Sequence, residues 1–258
     1  MINMNNQKDL SIVIPSYNES ENLKKGSLAK IADYLGNKNL AWEVLIIDDG
    51  SSDNSCELVE QFTKNHSNFK LVKNLHQGKA ATVLSGLGMA QGEIVVFTDM
   101  DQATPVSEFD KFSTYFNQGY DIVIGSRATN RQGAPLLRQI MATGFAIIRT
   151  MILGLNLTDT QCGFKAFTNK AAHTISELLL SRWQKVIRGA AVNAGFDVEL
   201  LFMAQKLGFK IAEVPVAWHY VGTKRISPIK DSIQAVADML RIKIEDVQGV
   251  YDQYTSKI

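Results

Sequence analysis

Short apolar runs alternate with segments of helical spacing through the first half of the chain. Residues 10–15 form an almost unbroken apolar run closed by Pro15 and read as a buried strand. Over residues 21–35 the apolar positions Leu23, Leu28, Ile31 and Leu35 fall near helical spacing. The alternation continues, predicting strands at 42–47, 69–72, 93–98 and 120–124. Helices are predicted at 53–62, 78–91 and 107–117, with Asp53 and Ser107 as capping residues. Strands apolar on both faces and separated by helices imply a parallel sheet covered on both sides. Ligands of such sheets bind beyond the carboxyl ends of the strands. That edge comprises residues 15–19, 48–53, 73–79 and 99–105.

The second half is less regular. It reads as a very apolar helix at 135–157, a short strand at 162–168 and helices at 170–180 and 196–207. A strand at 210–218 and an amphipathic helix at 228–244 follow. Without a repeat or linker, the expectation is a flexible N-terminus over 1–8, one domain over 9–245 and a polar tail over 246–258.

Composition changes this picture in three places. With 258 residues, 45% of them hydrophobic, the chain is excluded from the disordered, collagen-like and disulfide-scaffold classes. A formal charge of +1 gives no global attraction to nucleic acid, so no nucleic-acid partner is expected and an anionic partner must meet a local patch. Cys56 and Cys162 lie in no ligand pattern and read as free thiols of a reducing compartment. No apolar run precedes Leu10, so no secretory signal is expected and the chain is placed in the cytoplasm.

One stretch departs from the average. Residues 122–158 contain no Asp or Glu but four arginines, Arg127, Arg131, Arg138 and Arg149. A segment both basic and apolar suits an anionic head on a greasy tail, or an anionic membrane surface. Arg149 near the middle argues against a transmembrane span and for a helix lying in the membrane interface.

The candidate chemistry sits on the carboxyl edge. Asp99-Met100-Asp101 follows an apolar strand, and two carboxylates at a strand end suit one hard cation, Mg²⁺ or Mn²⁺, shared with phosphate oxygens. The alternative is a loop with two capping aspartates. Asp48-Asp49 offers acceptors to a base or ribose, or only shapes a turn. Tyr17 offers a stacking face. Glu19 offers an acceptor or a helix N-terminal charge. Gly78-Lys79 opens a helix, where backbone N–H groups and an ammonium suit a diphosphate. Gly86-Leu-Gly88 ends a helix rather than starting one, which rejects a dinucleotide fingerprint.

Val13-Ile-Pro-Ser-Tyr-Asn-Glu19, Ile47-Asp-Asp-Gly-Ser-Ser-Asp53 and Asp99-Met-Asp101 in this order resemble the signature of family 2 glycosyltransferases. The resemblance implies an α/β fold of GT-A (Rossmann-like) type, a mostly parallel sheet sandwiched by helices with a C-terminal helical elaboration. Gly125-Ser-Arg127, Asp159-Thr-Gln-Cys-Gly-Phe-Lys165, Arg182-Trp183, Phe196-Asp-Val-Glu-Leu200, Glu213-Val-Pro215 and Gly222-Thr-Lys224 are similar to the dolichyl-phosphate β-glucosyltransferases among the polyprenyl-phosphate enzymes. Those move glucose from UDP-glucose to a polyprenyl phosphate with inversion; related mannosyl enzymes use GDP-mannose.

The resemblance divides the domain into a donor half, about 9–126, and an acceptor and membrane half, about 127–245. It implies that Pro15, Tyr17, Glu19, Ile47 and Asp49 hold the nucleotide, with Gly78 and Lys79 near the diphosphate. Asp99, Met100 and Asp101 line the diphosphate, the two aspartates holding the metal. Arg127, Arg138 and Lys224 gather the lipid phosphate. Helix 135–157 is expected to rest on the cytoplasmic face of a membrane as a peripheral contact, with no N-terminal anchor like that of the eukaryotic glucosyl enzymes expected. Ala103, two after the second aspartate, matches the glucosyl rather than the mannosyl pattern. Met100 replaces the usual alanine, and residues 184–195 look inserted. An anionic acceptor oxygen needs no general base, whereas a saccharide hydroxyl needs one, for which Asp197 is the candidate, with Glu199 next. A saccharide-directed transferase and a nucleotide-sugar-binding protein without turnover stand as the alternatives.

Overall fold

The computed structural model describes residues 8–127, 136–186, 195–219 and 228–255. The first half contains β1 (Lys8–Ser16), α1 (Ser20–Lys24), α2 (Ser27–Gly36), β2 (Trp42–Asp48), α3 (Ser55–Thr63), β3 (Phe69–Lys73), α4 (Lys79–Met89), β4 (Gly92–Thr98), α5 (Phe109–Asn117) and β5 (Ile122–Ser126). The second half adds α6 (Leu136–Leu153), β6 (Phe164–Thr168), α7 (Asn169–Val186), α8 (Phe196–Lys206), β7 (Ile211–Pro215), α9 (Pro228–Val247) and α10 (Asp252–Thr255).

The seven strands form one mixed sheet in the order β3-β2-β1-β4-β6-β5-β7. All described pairings are parallel except those of β6, which runs antiparallel to β4 and β5. The strands are apolar on both faces because helices cover both. On β1, Val13 joins the core beneath α4 and α7, while Ile12 and Ile14 join the core beneath α2 and α5. On β2, Leu45 and Ile47 divide from Val44 and Ile46 in the same way. Each such side chain, fully buried, contributes roughly 1.5–3 kcal/mol.

The antiparallel β6 matters for the site. Its first residue, Phe164, pairs with Thr98 at the end of β4. The loop entering β6 therefore arrives at the edge where β1, β2, β4 and β5 end.

Some local expectations change. The helix expected over 21–35 breaks at Gly26, whose φ of 78° lies in the left-handed region, into α1 and α2. Ser107 does not cap α5; a single 3₁₀ turn (Val106–Glu108) leads into it instead. Asn54 rather than Asp53 stands at the N-cap of α3; Asp53 precedes it and accepts from the Ser55 amide at 2.9 Å. Gly86 is a packing glycine: a Cβ there would stand 2.3 Å from Cγ1 of Val13, so α4 lies directly on β1.

Candidate active site

The loops after β1 and β2 brace each other. Asn18, at φ 55°, accepts the Ser52 amide on its side-chain oxygen at 2.8 Å, and its own amide donates to the Ser51 hydroxyl at 3.0 Å. The Glu19 amide donates to the Ser55 hydroxyl at 2.8 Å, and Asn22 donates to the Glu19 carboxylate at 2.6 Å. Asp48 is buried and accepts the Gly50 and Ser51 amides, both at 3.0 Å. Two motifs separated by some thirty residues thus stabilise one another, and Asp48 and Asp53 shape the backbone.

Asp49 does the same for a third loop. Its two oxygens accept the Gln77 and Gly78 amides at 2.8 and 2.9 Å, and His76 Nδ1 lies 2.9 Å from Oδ2. This fixes the backbone that opens α4. Tyr17 is exposed and stacks on His76, ring centroids 4.5 Å apart. Pro15 and Ile47 are register partners of β1 and β2, and the Ile47 side chain is fully buried in the core against Gly86. The sequence did not single out His76. Its place immediately before Gln77-Gly78-Lys79 was the available signal.

At the end of β4, Asp99 accepts from the Lys79 ammonium at 2.6 Å. Asp101 accepts the Ala103 amide at 3.0 Å. Burial raises the Asp101 pKa above the usual carboxylate value, and the nearby Asp99 charge adds to this against the pull of the amide. Burial works against the Lys79 charge, but Asp99 outweighs it and the ammonium pKa is raised. Met100 points away: it is buried in the core under α2, where the Ser27 hydroxyl donates to its sulfur. Its side chain is therefore a core group, and only its backbone lies along the edge.

Gly163 completes this corner. A Cβ built on it would stand 1.9 Å from Oδ2 of Asp99 and 2.7 Å from its Cγ. Only glycine leaves room for the Asp99 carboxylate where it stands. Among the described residues no three or more His, Cys, Asp or Glu cluster as metal ligands. The carboxylates that could hold a metal here are the pair Asp99 and Asp101. Two mutually repelling carboxylates, one seated over a glycine, fit a hard cation whose remaining ligands are water and phosphate.

At the end of β5, Arg127 is held by Asp159, through its amide at 2.9 Å, Nε at 2.7 Å and Nη2 at 2.8 Å. Burial opposes its charge and the bidentate Asp159 overrides this, raising its pKa. The guanidinium also lies 5.7 Å from the Trp218 ring centroid. Glu213 of β7 fixes the Asp159 loop, accepting the Thr158 and Asp159 amides at 2.7 Å each. Arg127 is therefore pre-oriented by a carboxylate. Lys224 and Arg131 lie outside the described residues, as do residues 187–194 of the expected insertion, and Arg138 is described only as backbone of α6.

Arg149 is not a surface arginine of α6. It is 1% exposed, its Nη1 donates to the Thr160 hydroxyl at 3.0 Å, and Nε and Nη2 have no hydrogen-bond partner among the described residues. Among the described side chains of α6, Ile147, Ile148 and Met151 are exposed, with Thr150 beside them. No helix among the described residues is long and apolar enough to cross a membrane.

Asp197 stands in the first turn of α8 and accepts from the ammonium of Lys165, which is fully buried in β6, at 2.5 Å. Two residues on, Glu199 is fully buried and accepts from Arg182 Nε, Arg241 and Tyr251 at 2.7, 3.0 and 3.0 Å. That network locks α8 to α7 and α9, which gives Glu199 a structural task and leaves it no place in proton transfer. Sequence reasoning missed Lys165 as a site residue; its signal was a lysine inside the apolar strand sequence Phe-Lys-Ala-Phe-Thr.

Residues 11–175 match the family model described as glycosyl transferase family 2. The chain is 32% identical over 259 residues to a dolichyl-phosphate beta-glucosyltransferase of Dictyostelium discoideum, covering 94% of this chain and 76% of that protein. It is 29% identical to the dolichyl-phosphate beta-glucosyltransferase of Homo sapiens, covering 95% and 78%. Among solved structures, glucosyl-3-phosphoglycerate synthase from Mycobacterium tuberculosis, in complex with Mn²⁺, UDP and glucosyl-3-phosphoglycerate, superposes with a TM-score of 0.58 at 18% identity, covering 91% of this chain and 80% of that one. The last likeness speaks to the fold alone.

Proposed function

The chain belongs to glycosyl transferase family 2 and is a hexosyltransferase, and we propose that it transfers glucose from UDP-glucose, with inversion, to the phosphate of a polyprenyl lipid such as dolichyl or undecaprenyl phosphate. The observation that carries this reading is the corner made by Asp99, Asp101, Lys79 and Gly163 at the entry to β6, with Arg127 at the end of β5, where Gly125 packs against Cys162 of the same entry.

Cleaving the sugar–phosphate bond develops negative charge on the departing diphosphate. Asp99 and Asp101 would hold a divalent cation, which supplies Lewis-acid neutralisation of that charge. Lys79, at the first turn of α4, adds its ammonium and the helix N-terminus behind it. Tyr17 and His76 offer an aromatic wall for the base, and Asp49 holds the loop that carries His76. On the acceptor side Arg127, fixed by Asp159, orients an ionised phosphate oxygen for attack on the anomeric carbon. Arg138 and Lys224 join it in this reading. Such an oxygen is already a nucleophile, so no group of the chain need take a proton from it.

The lipid also explains α6. Its exposed Ile147, Ile148 and Met151 lie in the acid-free stretch 122–158 and suit peripheral contact with the cytoplasmic face of an anionic bilayer. The test is incubation of purified protein with a panel of labelled nucleotide sugars and a membrane lipid extract. Label from UDP-glucose in an acid-labile lipid supports the reading. Label only in water-soluble saccharide, or in no product, overturns it.

A further inference from the structure

Lys165 is the least expected charge in the molecule. It lies in β6 with no exposed side-chain surface, between Phe164 and Ala166 of the core. Its ammonium is held at three points: the Cys162 carbonyl at 2.6 Å, Asp197 Oδ1 at 2.5 Å and the Phe97 ring centroid at 5.7 Å. A buried ammonium without a counter-charge is strongly unfavourable, so Asp197 is bound to Lys165 as a standing partner. The Asp197 carboxylate in turn stays 15% exposed at the site edge.

Its position is specific. The Lys165 and Lys79 ammoniums lie over the same Phe97 ring, 5.7 and 5.6 Å from its centroid, and Cys162, whose carbonyl holds Lys165, adjoins Gly163 beside Asp99 and packs against Gly125, two residues before Arg127. The carboxylate therefore stands close to the corner assigned to the diphosphate and to the strand end that carries the group assigned to the acceptor phosphate. The transferred hexose joins the diphosphate to the attacking acceptor oxygen, so it lies in the same region. A carboxylate pinned through one oxygen cannot rotate freely, and a fixed acceptor reads the presence and direction of a hydroxyl. A working base, by contrast, would have to take up a proton while still engaged with an ammonium.

We propose that Asp197, locked by the buried Lys165, is a specificity-determining residue that accepts a hydrogen bond from one hydroxyl of the transferred hexose, with Lys165 as its positioning residue. This rests on the glucosyl-transfer reading above. It assigns Asp197 to donor recognition whichever acceptor is used.

The test compares kcat/KM for UDP-glucose and its 2-, 3-, 4- and 6-deoxy analogues in the native enzyme and in Asp197→Asn. The native enzyme is expected to lose about ten- to a hundredfold on one analogue, the worth of a hydrogen bond to a charged group. Asp197→Asn is expected to lose a similar factor on UDP-glucose but less than about threefold on that same analogue, relative to native, while its affinity for UDP with Mn²⁺ holds. Lys165→Met should reproduce the selective loss. If that variant does not fold, the double variant Lys165→Met/Asp197→Leu, which removes both charges together, should fold and lack the discrimination. Equal losses on all five donors in Asp197→Asn would overturn the proposal and return Asp197 to a general-base role. Absence of any transfer from UDP-glucose by the native enzyme would instead overturn the donor reading.

Discussion

Gly163 stands directly behind Asp99: a single methyl group on the glycine would lie 1.9 Å from the carboxylate oxygen. Asp99 follows β4 and Gly163 precedes β6, and the antiparallel entry of β6 against β4 brings them together. Gly163→Ala must displace Asp99 or the loop. We expect it to weaken binding of UDP with Mn²⁺ at least tenfold by calorimetry, with a folded protein by circular dichroism. Unchanged affinity would show that Asp99 needs no such seat.

Asp101 links function to stability. Its folded-state pKa is raised by burial and by the Asp99 charge. A raised folded pKa adds stability below the unfolded value, lost as pH rises through the folded value. At neutral pH the charged carboxylate thus destabilises the metal-free protein. Asp101→Asn should raise the metal-free Tm at pH 7, an advantage that shrinks as pH falls toward the unfolded carboxylate pKa, about 3.9. The same variant should lower transfer by about a hundredfold or more. Thermal melts across pH, paired with a transfer assay, check both signs.

Lys79 occupies Asp99 Oδ1 at 2.6 Å, where a cation would bind. Lys79→Met should therefore bind Mn²⁺ alone more tightly, yet bind UDP with Mn²⁺ more weakly and turn over about a hundredfold more slowly. Titrating Mn²⁺ with and without UDP separates the two effects. Weaker binding of Mn²⁺ alone would contradict this place for the ammonium.

On α6, Met151 is 81% exposed and Ile147 56%. Ile147→Asp/Met151→Asp should reduce binding to vesicles containing anionic lipid several-fold, measured by co-sedimentation. Transfer to a short-chain, water-soluble polyprenyl phosphate should change less than about twofold. Equal loss in both assays would place these residues in the active site.

The sheet was legible because its strands are buried on both faces, which shows as unbroken apolar runs such as residues 12–14. The donor corner was legible because Asp99 and Asp101 adjoin such a strand. What stayed hidden depends on distant partners. Nothing local to Gly163 reports that Asp99 stands over it. Arg149 looks like a surface arginine until α6 is folded against the Thr160 loop. Met100 sits inside a motif yet packs into the core. Lys165 interrupts an apolar strand, a visible anomaly whose meaning required Asp197, 32 positions away. Periodicity reports which face a residue takes, but not which charge it will meet.

The central claim concerns the cation at the end of β4, and chelation tests it most directly. Native protein stripped with a chelator and given UDP-glucose and polyprenyl phosphate should form no glucosyl lipid. Added Mn²⁺ or Mg²⁺ should restore the rate saturably, and should fail to do so in Asp99→Asn. Turnover undiminished by the chelator would contradict the account.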